Sequence, residues 1–175
     1  GIDLAYGKKQ ITKSVTSSVL QGKSIKGMAD DLQHRIPKMN RDSAIRTART
    51  AVTSAENAGR MDSYAAAKKM GINVRKRWVA TKDSRTRHAH GMVDGQTVDW
   101  DKPFNVDGYD MMYPGDMSAP GYLVYNCRCT VRTVEKADIE AEPRKMRVKN
   151  ANGEYEIVSE MTFAEWQEWV KRRGS

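Results

Sequence analysis

The sequence predicts an α+β fold. N-terminal helices, one of them long, pack on a small mixed or antiparallel sheet, followed by a loop-rich centre and a short C-terminal helix. Three observations favour this class. Apolar residues recur at helical spacing over residues 11–70, β-prone segments begin after Ile72, and the centre is rich in glycine, proline and aspartate. Helices that precede the strands, rather than alternating with them, are typical of α+β domains.

Three helices are predicted before Ile72. Apolar residues three or four positions apart indicate a first helix around 11–19 and a second over 25–36, which ends because Pro37 cannot continue it. Asn40 is a favourable N-cap for the third helix, and Gly71 is a favourable C-terminal stop. The apolar stripe between these two residues predicts one long helix.

The segments after the long helix favour strands. Residues 74–79 predict one strand, and 122–125 and 130–134 are β-prone on either side of the cysteines. Between 80 and 116, the density of glycine, proline and aspartate predicts turns with short pieces of structure.

The C-terminal region predicts a hairpin followed by a helix. Residues 144–149 and 154–158 are the two strands, joined by a turn that ends in Asn-Gly. Thr162 and Glu165 form a capping box for the final helix. We expect its tryptophans, Trp166 and Trp169, to pack on the sheet, and a partner-binding stripe is the alternative.

Charge divides the chain unevenly. We assign 1–71 to a basic helical region and 72–175 to an α+β region, and the long helix from about residue 41 belongs to the same fold. Residues 1–80 contain 16 Lys and Arg against 6 Asp and Glu, whereas the remainder contains 14 against 16. A polyanion or acidic partner is therefore expected for the first half, and a solvated basic surface is the alternative. The cations expected to meet DNA or another polyanion are Lys8, Lys9, Lys13, Lys23, Lys26, Arg75, Lys76 and Arg77.

Composition excludes several classes of protein. No apolar run approaches the roughly 20 residues of a membrane span, no signal peptide is recognisable, and the start at Gly1 indicates a cut or processed product. Cys127 and Cys129 are too close in sequence to build a disulfide framework. We therefore expect a soluble, intracellular-type interaction domain.

The segment from Trp78 to Cys129 carries most of the information. It contains a tryptophan strand, the run D-S-R-T-R-H-A-H, an Asp-Gly pair, a Pro-Gly-Asp turn and an N-C-R-C run. In order, these are Trp78, 83–90, Asp94-Gly95, 114–116 and 126–129.

This ordered set resembles the phage Mu protein F-like family of phage head morphogenesis (minor head) proteins. The family pattern is a tryptophan strand, D-x-R-x-R-x-x-H-x-x-x-D-G, a P-G-D turn and N-C-R-C. The segment 46–50 is also similar to I-A-R-T-E in that family's long helix, except that Ala51 stands where the glutamate is usual. The residues assigned to the structural motif are Trp78, Asp83, Arg85, Asp94, Gly95 and Asn126.

The resemblance implies a structural virion protein. Such a protein would bind the portal and capsid inside the virion near the portal vertex, and would occupy the bacterial host cytoplasm during assembly. It would contact packaged double-stranded DNA without sequence specificity, bind no membrane and have no small-molecule substrate. Toxin enzymes that accompany this domain in some relatives would lie in additional sequence.

The histidines and cysteines of this segment could hold a zinc ion. His88, His90, Cys127 and Cys129 are ligand types that zinc accepts, provided that the chain bends at Arg128. The alternative is a hydrogen-bonded knot, in which polar side chains satisfy the backbone of an irregular loop and the cysteines are small buried hydrophobes.

Catalysis is the less favoured hypothesis. A cysteine and a histidine, oriented by Asn126 or Asp94, could form a nucleophile and its base, or the cluster could serve a metal-dependent nuclease or toxin-like hydrolase. No local enzyme signature and no Gly-rich phosphate loop support this. We expect Arg85 and Arg87 to pair with Asp83 and Asp94 rather than to bind phosphate.

Overall fold

A computed structural model describes residues 4–134, 144–150 and 152–173, with side chains from Lys9 onward. The predicted α+β class is confirmed. The helices and strands, in chain order, are α1 (Leu4–Leu20), α2 (Ile25–Arg35), α3 (Arg41–Lys69), β1 (Arg75–Val79), α4 (His88–Val93), β2 (Thr97–Asp99), β3 (Phe104–Val106), β4 (Tyr109–Met111), α5 (Gly121–Val124), β5 (Thr130–Val134), β6 (Lys145–Lys149), β7 (Tyr155–Ser159) and α6 (Phe163–Arg173). No helix among the described residues is both long and apolar enough to cross a membrane.

The first three helices form as their caps and stripes predict. The Asn40 side chain accepts a hydrogen bond from the Ser43 amide at 2.8 Å, which starts α3. Gly71 ends it with φ +82°, a conformation that favours glycine. Helices α2 and α3 share a small core of buried residues, namely Met28, Ala29, Leu32, Ala44 and Ala48.

The main core surrounds an antiparallel sheet. Strand β1 lies between β2 and β5, and Trp78 of β1 is opposite Val131 of β5. The Trp78 ring is fully buried and meets Phe104 edge-to-face at 5.3 Å. Residues at the end of α3 complete this core, so the long helix packs on the sheet as predicted.

The C-terminal hairpin and helix form a third small core. Strands β6 and β7 pair antiparallel, and Val148 packs with Phe163 and Trp166 of α6. The capping box is present, because the Thr162 amide donates to the Glu165 carboxylate at 2.6 Å. The predicted hairpin turn includes Ala151, which lies outside the described residues.

The prediction for one of the two β-prone segments is wrong. Residues 121–124 form the short helix α5 instead of a strand. Leu123 and Val124 are adjacent and both buried, at 0% and 1% exposure. Successive strand residues point to opposite faces, so a turn of helix covers this pair on one side more easily. Pro120, with φ −57°, starts it.

Candidate functional site

Three buried side chains converge between α4 and β5. The Nδ1 atom of His90 lies 3.4 Å from Sγ of Cys129 and 3.7 Å from Sγ of Cys127. All three candidate ligand atoms lie within 4.8 Å of one another. Asn126, with φ +56°, bends the chain just before the cysteines, so both sulfurs reach the same imidazole.

The spacing fits a zinc ion. Zinc–sulfur bonds of about 2.3 Å and zinc–nitrogen bonds of about 2.0 Å at a tetrahedral angle place S and N ligand atoms about 3.5 Å apart. The two measured sulfur–nitrogen distances, 3.4 and 3.7 Å, bracket that value. Among the described residues, the cluster therefore offers three ligands of the right chemistry and spacing.

His88 does not join this cluster. It is exposed at the first position of α4, whereas His90 is 1% exposed. Residues two positions apart on a helix point to nearly opposite sides, so His88 cannot reach an ion that His90 binds. The predicted ligand set is accordingly reduced to His90, Cys127 and Cys129.

The two thiols are electrostatically unequal. The pKa of Cys127 is lowered, first by a hydrogen bond from Cys129 and then by His90. The pKa of Cys129 is raised, chiefly by its contact with Cys127 and by burial. One thiolate is thus favoured at Cys127, and thiolate is the form that binds a metal.

A buried ion pair stands beside the cluster. The Asp94 carboxylate accepts hydrogen bonds from the Ala80 amide at 2.5 Å, from Lys82 Nζ at 2.6 Å and from the Phe163 amide at 2.7 Å. The side chains of Asp94 and Lys82 are only 3% and 5% exposed. Asp94 therefore connects β1, the end of α4 and the start of α6.

The long helix contacts the N-C-R-C run through a polar stripe. Thr50 Oγ1 accepts from the Asn126 amide at 3.0 Å, and Thr53 Oγ1 donates to the Cys127 carbonyl at 2.9 Å. Arg49, from the segment similar to I-A-R-T-E, donates to Asn126 Oδ1 at 3.2 Å. Both motifs therefore meet at Asn126.

Asn57 is the residue of this stripe that sequence reasoning missed. Its amide nitrogen donates to the carbonyls of Thr53, Pro114 and Cys129, and its Oδ1 accepts from Thr130 Oγ1 and the Val131 amide. The side chain is 1% exposed. The available signal was its position four residues before Met61, which belongs to the predicted apolar stripe.

Comparison with known proteins agrees with the resemblance that these motifs indicate. The sequence matches the family described as Phage Mu protein F like protein over residues 9–132, more than half of the chain. The chain belongs to this family. The resemblance inferred from the ordered motifs is thereby confirmed, and no solved structure matches the chain.

Two relatives of this Mu F-like chain carry different names. It is 31% identical over 166 residues to the NAD(+)–arginine ADP-ribosyltransferase EFV of Enterococcus faecalis, covering 94% of this chain and 32% of that protein. It is 28% identical over 166 residues to the minor head protein GP7 of Bacillus phage SPP1, covering 92% of this chain and 51% of that protein. The chain therefore spans between about a third and a half of the length of these relatives.

The Mu F-like cluster does not assemble a nucleophile, base and orienter. Within the described residues, Nε2 of His90 has no hydrogen-bond partner. The Asp94 carboxylate bonds to β1 and α6, and the Asn126 side chain bonds to Arg49, so neither orients the imidazole. The arrangement resembles a structural knot or a metal site more closely than a thiol active site.

The motif arginines bond within the protein. Asp83 pairs with Arg85 at 3.4 Å, as expected, but its main partner is Arg128 of the N-C-R-C run. Arg87 donates to the Tyr125 carbonyl. The partner of Asp94 is Lys82 rather than an arginine.

Apart from Lys76, the predicted polyanion-binding cations divide into three groups. Lys9, Lys13 and Lys26 are exposed, whereas the side chain of Lys8 lies outside the described residues. Lys23, Arg75 and Arg77 have partners in the protein, namely Asp31 at 2.7 Å, Asp99 at 3.5 Å and Thr97 Oγ1 at 3.0 Å.

Lys76 was assigned wrongly to that set. It is 0% exposed, since alternation along β1 turns it to the same face as Trp78. Its Nζ donates to the Met112 carbonyl at 2.7 Å and lies 5.1 Å from the centre of the Phe104 ring. Burial lowers its pKa to about 8. Such a side chain supports the core and cannot meet DNA.

Proposed function

We propose that this Mu F-like chain is a structural domain of a phage minor head protein and acts in head morphogenesis. The observation that carries the proposal is that nearly the whole chain aligns both with part of a minor head protein and with part of an ADP-ribosyltransferase. A domain common to both performs a task that both proteins need, such as association with the head. Transfer of ADP-ribose would then belong to the rest of the longer relative.

The geometry of the cluster supports a structural role. His90, Cys127 and Cys129 are 1%, 1% and 5% exposed, so a macromolecular substrate has no access to them. The side chains of Thr53 and Asn57 on α3 donate to the Cys127 and Cys129 carbonyls. The Asp94 carboxylate accepts from the Ala80 and Phe163 amides, so these bonds together hold an irregular chain in place. A metal-dependent nuclease or toxin-like hydrolase would instead need an open ligand position facing a substrate.

The partners follow from this role. The domain binds the portal and capsid proteins, lies inside the virion near the portal vertex, and is present in the host cytoplasm during assembly. The exposed lysines of the N-terminal helices, Lys9, Lys13 and Lys26, contact packaged DNA through its phosphates, without sequence specificity.

A zinc ion bound by His90, Cys127 and Cys129 would stabilise this scaffold. The ligands come from two segments 37 residues apart, between His90 and Cys127. Metal binding to a site that exists only in the folded chain adds its free energy to folding. Zinc would thus fix α4 against the strand that follows the cysteines, without taking part in a reaction.

Co-assembly with the proteins of the same phage head tests the role. The full chain is co-expressed with the portal and major capsid proteins, and purified heads are examined by immunoblotting. We expect the chain in the heads and in complexes purified through a tagged portal. Heads that contain portal but no chain would contradict the proposal.

Turnover assays separate the enzymatic alternative. Purified chain is incubated with DNA or RNA and divalent metals, and separately with labelled NAD⁺ and an arginine-containing acceptor. We expect no cleavage and no ADP-ribose transfer. Turnover that is lost in His90→Ala, while the variant keeps its fold, would assign an enzyme to the cluster.

A further inference from the structure

The hairpin of β6 and β7 has two faces of opposite character. On one face Met146, Val148 and Val158 pack toward α6, and Val148 is only 2% exposed. Side chains alternate along each strand, so the intervening positions form the other face. This outer face consists of six exposed residues: Lys145, Arg147, Lys149, Tyr155, Ile157 and Ser159.

The outer face carries three cations and no acid. Among the described residues, no carboxylate lies within ion-pair distance of these cations, and the Lys145 ammonium donates to the hydroxyl of Ser159 at 3.3 Å. Glu156 of β7 is on the opposite face, where it pairs with Arg173 and accepts from Asn150 at 2.9 Å. The positive charge of the outer face is therefore not neutralised within that part of the chain.

Tyr155 positions two of the cations. The guanidinium carbon of Arg147 lies 3.7 Å from the centre of its ring, and Nζ of Lys149 lies 5.1 Å from it. A guanidinium that stacks on an aromatic ring keeps its N–H donors at the edge, where they can bind a phosphate in bidentate fashion. Because the Tyr155 ring already restricts the Arg147 side chain, less side-chain conformational entropy is lost when Arg147 binds a phosphate.

We propose that the outer face of the β6–β7 hairpin binds the phosphate backbone of duplex DNA without reading its sequence. Charge complementarity argues for this occupant, and a two-stranded ribbon fits the major groove of B-DNA. The face lies outside the family match over residues 9–132. It also lies in the part of the chain that holds 14 Lys and Arg against 16 Asp and Glu, where composition predicts no polyanion contact.

Two charge-matched variants of the full chain test the proposal. The hairpin variant is Lys145→Gln/Arg147→Gln/Lys149→Gln, and the helix variant is Lys9→Gln/Lys13→Gln/Lys26→Gln. Binding to a fluorescein-labelled duplex of mixed sequence is measured by anisotropy over a range of salt concentrations. The helix variant tests the DNA contact of the proposed function separately, so either contact can fail alone.

The hairpin variant is expected to bind at least about tenfold more weakly at moderate salt. The slope of log affinity against log salt should fall by about 2.7, because each phosphate contact contributes about 0.9. Tyr155→Leu should weaken binding severalfold although it removes no charge, and Tyr155→Phe should keep it. These substitutions are at exposed positions, and thermal melting checks that the fold is intact.

Three results would overturn the proposal. One is a hairpin variant with the affinity and salt slope of the wild type. Another is a wild-type chain that does not bind the duplex at low salt, which would also remove the DNA contact of the helices but not the role in the head. The third is a hairpin variant that keeps its affinity for DNA but no longer binds polyglutamate, a probe for acidic protein surfaces. This result would assign the face to an acidic protein.

Discussion

The guanidinium of Arg128 binds the carboxylate of Asp83 with both of its terminal nitrogens, one of them at 2.8 Å from Oδ1. Asp83 begins the D-x-R-x-R run, and Arg128 is the arginine of the N-C-R-C run. The pair therefore joins two motifs that are 45 residues apart in sequence. Its hydrogen bonds are the main reason that the pKa of Asp83 is lowered to about 2.

This ion pair predicts a pH-dependent loss of stability. Because the folded pKa of Asp83 lies below its unfolded value, its contribution is complete above about pH 5 and is lost as the pH falls from about 4 to about 2. Asp83→Asn should lower the free energy of unfolding at pH 7 by about 1–2 kcal/mol. Urea unfolding at several pH values should show this difference from the wild type shrinking toward zero in acid.

Arg85→Ala is the matched control, because Arg85 pairs with the same carboxylate but has a side chain 78% exposed. It should cost under about 0.5 kcal/mol, as exposed ion pairs usually do. A difference between Asp83→Asn and the wild type that stays constant from pH 7 to pH 2 would contradict the assigned role of the ion pair.

Asn57 should be the most sensitive polar position on α3. Asn57→Ala removes the side chain that satisfies the Pro114 and Cys129 carbonyls and the Val131 amide inside the core. Each buried group left without a partner costs about 1–3 kcal/mol, so we expect a loss of about 3 kcal/mol or more by chemical unfolding. Asn73→Ala, at an exposed position, should change stability by less than about 0.5 kcal/mol. Equal effects of the two substitutions would be inconsistent with the central position of Asn57.

Docking of the C-terminal helix depends on Gly91. A Cβ atom there would lie 2.5 Å from Cδ1 of Phe163, so Gly91→Ala must displace the Phe163 ring and disturb the contact between α4 and α6. We expect a loss of about 1–3 kcal/mol and faster hydrogen exchange in α6. Gly59→Ala in α3 meets nothing within 4 Å and should stabilise the chain by about 0.5–1 kcal/mol. Gly91→Ala without a penalty would show that the helix does not pack as described.

The fold was largely predictable because its signals are local. Asn40, Gly71 and the pair Thr162 and Glu165 mark helix ends through contacts within a few residues, and the structure shows those contacts. The prediction of a β-prone segment at 121–124 was wrong, because the helical conformation there depends on burying Leu123 and Val124 together, which is a tertiary effect.

The sequence predicted most of the residues that form the candidate site, but not the residues that hold them in place. His90 and the two cysteines meet as inferred, and His88 does not join them because its side chain points away on the helix. The main partners of Asn57 and Lys76 lie more than 30 residues away in sequence, so no local pattern identifies these contacts. Lys76 in particular stands between two arginines, and only the strand alternation buries it.

The metal content of the full chain tests the zinc centre most directly. The protein is expressed with zinc, purified without tag or chelator, and analysed by elemental mass spectrometry beside Cys127→Ser/Cys129→Ser and His88→Ala. We expect about one zinc per chain in the wild type and in His88→Ala, and none in the double variant, together with a lower Tm. A wild-type chain without zinc, whose Tm is unchanged by chelator, would contradict the metal centre and make the cluster a hydrogen-bonded knot.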